Sequence, residues 1–208
     1  MALHALIIAG GTGQRLGGVR KADLRVGNIT LLDRVITALG PLDTPLMLST
    51  GPGASATPHS RPGLTLPDLD LPIGGPLAGL LAAFDSLRAR AITSGILVSV
   101  AVDTPFLPPG FAATMAAQLH DTPAAHAAWG DNFYPTNAAW RIESIIDLPT
   151  QLRTHTEPRS LRHLLENLRA RRVDFAPRYP LDPFANINTL SDLLALQRRI
   201  QPTCGKLP

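Results

Sequence analysis

The chain has 208 residues, of which 45% are hydrophobic and 17% charged, and a formal net charge of only +3. These values are typical of a globular protein that buries a sizeable core, and we predict a single domain over residues 1–208. The lone cysteine, Cys204, excludes a disulfide framework and a sulfur-ligated metal cluster. Residues 1–9 lack the basic start of a signal peptide, and no run is long enough for a spanning helix. We therefore expect a cytoplasmic protein without membrane contact.

Hydrophobic spacing predicts strands that alternate with helices along the chain. Continuous apolar runs at 3–9 and 95–102 are typical of parallel strands buried on both faces. In chain order we predict strand 3–9, helix 31–39, strand 45–50, surface loop 51–63, strand 64–66, a helix from residue 76 to 87, strand 95–102, helix 109–119, strands 124–129 and 133–140, helices 142–148 and 161–169, strand 172–175 and helix 190–199. This alternation predicts an α/β fold with one doubly wound, mostly parallel sheet and helices on both faces.

A glycine-rich stretch follows the first strand and carries the cations Arg15 and Lys21. Residues 8–21 read Ile-Ala-Gly-Gly-Thr-Gly-Gln-Arg-Leu-Gly-Gly-Val-Arg-Lys. Glycines let backbone N–H groups approach phosphate oxygens, and both cations bind phosphate well. The P-loop is excluded because no glycine precedes the lysine, and Leu16 replaces the third glycine of the dinucleotide fingerprint. We predict a polyphosphate cradle of another type; the alternative is a pair of ordinary surface cations.

Polar side chains stand where predicted strands end, at the sheet edge that binds ligands in open α/β folds. Ser49 closes the second strand, Asp68 follows the third, and Asp103 follows strand 95–102. Asp68 is equally compatible with a turn beside Pro67, and the alternative role of Asp103 is to cap the following helix or begin a turn. Asn186 and Asn188 lie two residues apart, so they face the same way on an extended chain, although Asn188 is also placed to cap helix 190–199.

Four segments, in this order, resemble the signature of the molybdenum cofactor guanylyltransferases, a family of nucleotidyltransferases. They are Ala-Gly-Gly-x-x-x-Arg-Leu-Gly-Gly-x-x-Lys at 9–21, Gly-Pro-Leu-Ala-Gly at 75–79, Asp-Thr-Pro at 103–105 and Asn-Ile-Asn-Thr at 186–189. The resemblance implies a Rossmann-like nucleotidyltransferase fold and transfer of GMP from GTP to the terminal phosphate of molybdopterin, with Mg²⁺ and release of pyrophosphate. It implies GTP and molybdopterin as substrates, transient contact with molybdoenzyme maturation proteins, and no nucleic acid.

The resemblance also implies roles for individual residues. Asp103 is expected to hold Mg²⁺, and Arg15, Lys21 and Asp103 to be catalytic. Asn186 and Asn188 are expected at the acceptor or the metal, with Pro135 and Thr136 near the acceptor pocket. The expected nucleotide-binding residues are Ile8, Ala9, Gly10, Gly11, Gly13, Lys21, Ser49, Asp68 and Asp103, with Asp68 accepting hydrogen bonds from the N1–H and N2–H₂ edge of guanine.

The sequence departs from the family pattern at three places. Arg20 stands where an acidic residue commonly precedes the lysine, and Ser49 stands where asparagine is common. Ala101 and Val102 precede Asp103 in place of the usual Pro-Cys. Three alternatives stay open: a cytidylyltransferase for the same pterin, a sugar-phosphate nucleotidyltransferase, and a non-catalytic nucleotide-binding protein. Turnover of the bound nucleotide distinguishes the last from the enzymes.

Positive charge is concentrated in residues 153–178, which carry seven arginines against three acidic residues, or +4. Such a patch attracts an anionic ligand, although a solvated helix face is an equally ordinary use of arginine. Aromatic residues do not interleave with the arginines before Phe175, which disfavours nucleic-acid binding. The six histidines show no metal-ligand spacing, and no serine has the context of a hydrolase nucleophile.

Overall fold

The computed structural model of the chain describes residues 1–10, 19–43, 46–51, 63–69, 71, 73–153 and 157–200. Three of the predicted site residues, Gly11, Gly13 and Arg15, lie outside the described residues, as do Cys204 and most of the predicted loop 51–63. None of the described helices is long and apolar enough to cross a membrane.

Strands and helices alternate as predicted. The strands are β1 (Leu3–Ile8), β2 (Arg25–Val26), β3 (Ile29–Thr30), β4 (Leu46–Ser49), β5 (Leu64–Leu66), β6 (Ile96–Ala101), β7 (Ala124–Trp129), β8 (Asn132–Arg141) and β9 (Arg171–Asp174). The helices are α1 (Leu31–Leu39), α2 (Pro76–Ala89), α3 (Phe111–Ala116), α4 (Ile142–Ile145), α5 (Leu148–Gln151), α6 (Leu161–Asn167) and α7 (Leu190–Ile200). A short 3₁₀ turn, Lys21–Asp23, precedes β2.

Seven strands form one sheet in the order β5-β4-β1-β6-β8-β7-β9. β1 pairs in parallel with both β4 and β6, β4 with β5, and β7 with β9. β8 alone runs antiparallel to its neighbours β6 and β7. The mostly parallel α/β sheet is therefore confirmed. Because β1, β4 and β6 are parallel neighbours, their carboxyl ends meet at one edge.

Hydrophobic core lies on both faces of the sheet, as the continuous apolar strands require. On one face, α1 and α3 contribute residues such as Val35 and Phe111, which are fully buried. On the other face, α2 contributes Leu80 and Phe84, which pack in one cluster with Trp140 of β8. Burial on both faces holds the ends of the central strands in place, and these ends carry the predicted site.

Two predicted helices differ from the structure. Helix 142–148 is wrong as a single element: α4 ends at Ile145 and α5 begins at Leu148. Pro149 explains the break. In a continuous helix its ring would clash with the carbonyl of residue 145, and it has no N–H to donate to that carbonyl. Helix 109–119 is shorter, Phe111–Ala116. The β2–β3 hairpin was not predicted, although its two-residue turn has the positive φ angles of 59° at Gly27 and 66° at Asn28 that such hairpins need.

Candidate active site

A cavity of about 360 Å³ opens at the carboxyl ends of β1, β4 and β6. Its walls bring together residues from segments that are far apart in the sequence. The lining residues are Ile8, Gly10, Lys21, Ser49, Gly51, Asp68, Gly75, Pro76, Ala101, Val102, Asp103, Thr136 and Asn186. Seven of the predicted nucleotide, metal and acceptor residues therefore face one space.

The side chain of Lys21 contacts residues from two other predicted site segments. Its ammonium donates to Asp103 Oδ2 at 2.6 Å and to Asn188 Oδ1 at 2.7 Å. The side chains of Lys21 and Asp103 are only 14% and 15% exposed, so their ion pair is partly shielded from water. One cation thus lies between two side-chain oxygens, and both Lys21 and Asp103 line the cavity.

Backbone hydrogen bonds hold the two partners of Lys21 near each other. The N–H of Ile187 donates to the carbonyl of Asp103 at 3.2 Å, which ties the segment 186–188 to the end of β6. The Ile187 side chain is fully buried in a small cluster with Val26, Leu31 and Leu196. Because Ile187 points into this cluster, its neighbours Asn186 and Asn188 face away from it, as the extended spacing predicts.

The cap of α7 is Thr189, and Asn188 is left free to contact Lys21. Thr189 Oγ1 accepts from the Asp192 N–H at 3.1 Å, and Asp192 Oδ2 accepts from the Thr189 N–H at 2.8 Å. This reciprocal pair is a capping box. Asp192 also accepts from the Asn188 N–H at 3.0 Å. These hydrogen bonds, the one from Asn188 first, lower the pKa of Asp192.

On the opposite wall, Ser49 and Asp68 form a second polar pair. Ser49 is 2% exposed, and its hydroxyl donates to Asp68 Oδ1 at 3.4 Å. Burial raises the pKa of Asp68, and the hydrogen bond from Ser49 partly offsets that rise. Gly79 of α2 makes room for Ser49: a Cβ at this position would lie 2.4 Å from Ser49 Oγ.

The end of β1 is packed tightly against the end of β4. A Cβ on Gly10 would lie 3.0 Å from the Gly51 backbone, and Gly51 itself has a φ of +81°, so both positions favour glycine. Two backbone groups at the end of β1 are hydrogen-bonded to neighbouring chain segments. The Ile8 carbonyl accepts from the Val102 N–H, and the Ala9 N–H donates to the Ser49 carbonyl. Ile8 and Gly10 line the cavity, whereas the Ala9 N–H is committed to β4.

Charges outside the cavity have partners of their own. Arg20 Nε lies 4.0 Å from Asp23 Oδ2, so an acidic neighbour follows Lys21 here instead of preceding it. In the basic segment, Arg171 pairs with Asp121 at 3.0 Å and Arg172 with Asp174 at 3.4 Å. None of the described arginines of residues 153–178 lines the cavity. Their geometry favours structural roles over contact with a ligand in this site.

Comparison with known proteins identifies the family. Residues 5–174 match the MobA-like NTP transferase domain, which is most of the chain. A molybdenum cofactor guanylyltransferase from a Bradyrhizobium species is 35% identical over 95% of this chain and 92% of its own. The chain belongs to the molybdenum cofactor guanylyltransferase family. A second guanylyltransferase, from Rhodobacter capsulatus, is 34% identical over 97% of this chain and 98% of its own. Membership in this family makes the chain a nucleotidyltransferase.

Solved structures show the same fold at lower identity. Molybdopterin-guanine dinucleotide biosynthesis protein A from Archaeoglobus fulgidus superposes with a TM-score of 0.68 and 21% identity, covering 95% of this chain and 98% of its own. The 2-C-methyl-D-erythritol 4-phosphate cytidylyltransferase from Thermus thermophilus has a TM-score of 0.65 and 19% identity, covering 96% and 98%. The nucleotidyltransferase fold is thus common to family members and to transferases of other nucleotides.

Two buried residues beside the cavity hold the end of β6 through contacts that the sequence does not predict. Thr104 is fully buried, and its hydroxyl donates to the Ala101 carbonyl at 2.7 Å, which closes the turn that carries Asp103. Asn137 is fully buried on β8, and its Oδ1 accepts from the Ala101 N–H at 2.9 Å. In the sequence, the signal for Asn137 is an asparagine within predicted strand 133–140, next to Pro135 and Thr136.

Proposed function

We propose that this chain transfers GMP from GTP to the terminal phosphate of molybdopterin or the molybdenum cofactor, which forms the guanine dinucleotide and releases pyrophosphate. The observation that carries the proposal is the contact of Lys21, which lines the cavity, with both Asp103 and Asn188. It joins a triphosphate-binding cation, a metal-binding carboxylate and an acceptor-binding amide at one point. Family membership supplies the reaction to which this arrangement is suited.

In the proposed reaction, an oxygen of the acceptor phosphate attacks the α-phosphorus of GTP. A new P–O bond forms there as the bond from the α-phosphorus to the bridging oxygen of the β-phosphate breaks, and pyrophosphate carries away the electron pair. Such chemistry asks the protein mainly for positioning and charge neutralisation. Lys21, with Arg15 from the glycine-rich stretch, supplies positive charge toward the triphosphate. The loop amides of Gly11 and Gly13 are proposed to add hydrogen bonds to the same oxygens.

The residues at Lys21 fit a magnesium site. Mg²⁺ binds through one or two carboxylates together with water and substrate phosphates, rather than through a cage of protein ligands. Asp103 supplies that carboxylate, and its oxygen already lies 2.6 Å from a positive charge, the Lys21 ammonium. Within the described ranges, no group of three His, Cys, Asp or Glu residues is placed to hold a metal by itself. When bound, Mg²⁺ held by Asp103 would neutralise negative charge on the triphosphate.

The two ends of the cavity suit different substrate groups. Asp68 is proposed to accept hydrogen bonds from N1–H and N2–H₂ of guanine, donors that adenine does not present in this pattern. The backbones of Ile8, Ala9 and Gly10, with Ser49, are proposed to lie beside the base and ribose. Asn186 and Asn188, opposite Asp68, are proposed to receive the pterin acceptor.

The remaining parts of the proposal concern the protein's context. We propose that residues 1–208 act as one nucleotidyltransferase domain in the cytoplasm. Its partners are then the two small-molecule substrates and, transiently, the proteins that insert the finished cofactor into molybdoenzymes. Neither a nucleic acid nor a membrane is part of the proposal.

The test is a substrate screen with the purified protein. GTP, CTP, ATP and UTP are each incubated with Mg²⁺ and molybdopterin, and pyrophosphate and the dinucleotide product are followed together. The proposal expects product with GTP only, and a larger rise in melting temperature with MgGTP than with the other nucleotides. Product with CTP instead would assign the cytidylyltransferase alternative, and binding of a nucleotide without turnover would assign the non-catalytic one.

A further inference from the structure

The pairing of β8 with its neighbours is interrupted beside the end of β6. On β7, His126 pairs with Ala138 and the next residue, Ala127, pairs with Tyr134, so residues 135–137 of β8 have no counterpart on β7. The register of β8 with β6 also ends at Ser99 and Ala138. A bulge of this kind leaves strand backbone without its usual partner. The affected part of β6 is the part that leads into Asp103.

The Asn137 side chain fills this gap. Its Oδ1 accepts the Ala101 N–H at 2.9 Å, so a carboxamide takes the place of a strand carbonyl for one more step of the ladder. Only the oxygen of a carboxamide accepts from an N–H, which fixes the orientation of the group. Its Nδ2 is buried and has no hydrogen-bond partner within the described part of the chain. A buried unpaired donor destabilises the folded state, so the benefit of asparagine here lies in its oxygen.

Ala101 starts the turn that carries Asp103, and each step of that turn is held. Ala101 is fixed through its N–H by Asn137 and through its carbonyl by Thr104. The Val102 N–H donates to the Ile8 carbonyl at 3.1 Å, and the Asp103 carbonyl accepts from Ile187. Asn137 therefore fixes the side of this turn that faces β8, whereas Ile8 fixes the side that faces β1.

We infer that Asn137 is a positioning residue for the Asp103 carboxylate, acting through the Ala101 N–H. Without the Oδ1 acceptor, this buried N–H has no strand carbonyl in register, and the turn must shift to find another partner. A shift of a fraction of an ångström there moves the carboxylate relative to Lys21 and to any bound cation, and such displacements weaken sites strongly. This inference rests on the proposed role of Asp103 as the metal ligand.

The same geometry relates Asn137 to the departure from the family pattern at position 101, where alanine stands in place of the usual proline. A proline at position 101 would have no N–H, so it would need no acceptor from β8. Alanine brings a buried donor into this position, and Asn137 supplies the acceptor. The two positions are therefore expected to be coupled: changing one alters the effect of changing the other.

The experiment measures binding of Mn²⁺·GTP by calorimetry for four proteins: the wild type, Asn137→Leu, the double variant Ala101→Pro with Asn137→Leu, and Ser99→Ala. Asn137→Leu removes the acceptor and keeps the number and branching of the side-chain heavy atoms. The double variant removes the donor as well. Ser99→Ala is the matched control, because Ser99 is equally buried and its hydroxyl, across the same two strands, accepts from Trp140 Nε1 at 2.9 Å and donates to the Ala138 carbonyl, instead of bonding to the turn that carries Asp103.

We expect Asn137→Leu to weaken Mn²⁺·GTP binding about tenfold, the double variant to recover at least half of the loss on a logarithmic scale, and Ser99→Ala to bind as the wild type does. All four are compared below their melting temperatures. If Asn137→Leu fails to fold, Asn137→Ser, whose shorter side chain leaves Ala101 without its acceptor, takes its place. Equal binding by Asn137→Leu and Ser99→Ala, or no recovery in the double variant, would overturn the inference. A wild type that does not bind Mn²⁺·GTP would instead overturn the proposed function.

Discussion

The Lys21 ammonium lies 2.6 Å from Asp103, although 82 positions separate the two residues in the sequence. The contact unites the segment after the glycine-rich stretch with the end of the central strand β6. Lys21 contacts Oδ2, so under the proposed function the second oxygen, Oδ1, is the one offered to a divalent cation.

Asp103→Asn is expected to lower turnover by about 100-fold or more, since it removes the charge that is proposed to attract the metal ion and that pairs with Lys21. Asparagine keeps the shape and one oxygen, so the protein should still fold and keep the contact to Lys21. Steady-state kinetics at saturating GTP and a melting curve check both statements. Asp23→Asn is the matched control, because Asp23 is an exposed partner of Arg20 outside the cavity. Near-normal turnover by Asp103→Asn would make Asp103 a structural residue.

Asn188 and Thr189 are neighbours with different expected roles, which a pair of alanine variants separates. Asn188→Ala removes an acceptor of Lys21 and should raise the KM for the pterin acceptor severalfold with little change in melting temperature. Thr189→Ala removes the cap of α7 and should lower stability by about 1 kcal/mol with little change in that KM. The two variants are compared by acceptor kinetics and thermal unfolding. A reversed result would assign the cap, and not the site, to Asn188.

The sequence predicts the parts of this site that depend on strand ends and not those that depend on pairing between strands. A continuous apolar run determines where β6 ends, so Asp103 and its edge of the sheet are predictable. That Lys21 reaches Asn188 follows only from the strand order and from Ile187 being anchored to the Asp103 carbonyl. The role of Asn137 depends on a register shift between β7 and β8, for which the sequence offers no periodic signal. The break between α4 and α5 is different, because Pro149 is a local signal that the sequence does carry.

The raised pKa of Asp68 predicts the direction of a pH effect on GTP binding. Guanine N1–H and N2–H₂ donate to an ionised carboxylate, so binding below the pKa of Asp68 must first release a proton, and affinity falls as the pH falls. Because burial raises that pKa, the loss should begin at a higher pH than for an ordinary aspartate. The measurement is the ratio of MgGTP dissociation constants for Asp68→Asn and the wild type as a function of pH, in which the titration of the triphosphate cancels.

Two further measurements test the contact between Asp68 and guanine. Ser49→Ala removes the hydrogen bond that lowers the Asp68 pKa, so the loss of affinity should begin at a still higher pH. At neutral pH, Asp68→Asn should weaken GTP binding by about 1.5–3 kcal/mol, the range for hydrogen bonds to a charged group. A ratio that does not change with pH would show that Asp68 does not contact guanine.

The same pKa shift has the opposite sign for the stability of the free protein. A carboxyl group whose pKa is raised in the folded state contributes most stability below its unfolded pKa, and that contribution is lost as the pH rises through the folded pKa. Asp68→Asn should therefore be more stable than the wild type at neutral pH, and the difference should vanish in acid. Thermal unfolding without ligand at several pH values measures it. Greater stability of the wild type at neutral pH would contradict burial as the dominant cause.

Gly79→Ala is expected to disturb, through Ser49, the end of the cavity where guanine is proposed to bind. The new Cβ would lie 2.4 Å from Ser49 Oγ and 2.9 Å from Ser49 Cβ, and Ser49 has almost no space to move because it is 2% exposed. Overpacking of this kind costs about 1–3 kcal/mol, whereas alanine gains at most about 1 kcal/mol over glycine within a helix. The variant should therefore be less stable than the wild type and have a higher KM for GTP, since Ser49 no longer holds Asp68.

A double variant and a control identify the cause. Ser49→Gly combined with Gly79→Ala removes the clashing atoms and should restore stability, while the pH dependence of GTP binding stays shifted as in Ser49→Ala, because Asp68 still lacks its donor. Gly74→Ala is the matched control: an added Cβ at Gly74 meets nothing within 4 Å, so its stability and GTP kinetics should be unchanged. Thermal unfolding and initial rates distinguish these proteins. A Gly79→Ala protein as stable as the wild type would mean that α2 moves away from β4 easily, and that the contact between Gly79 and Ser49 does not determine the position of Asp68.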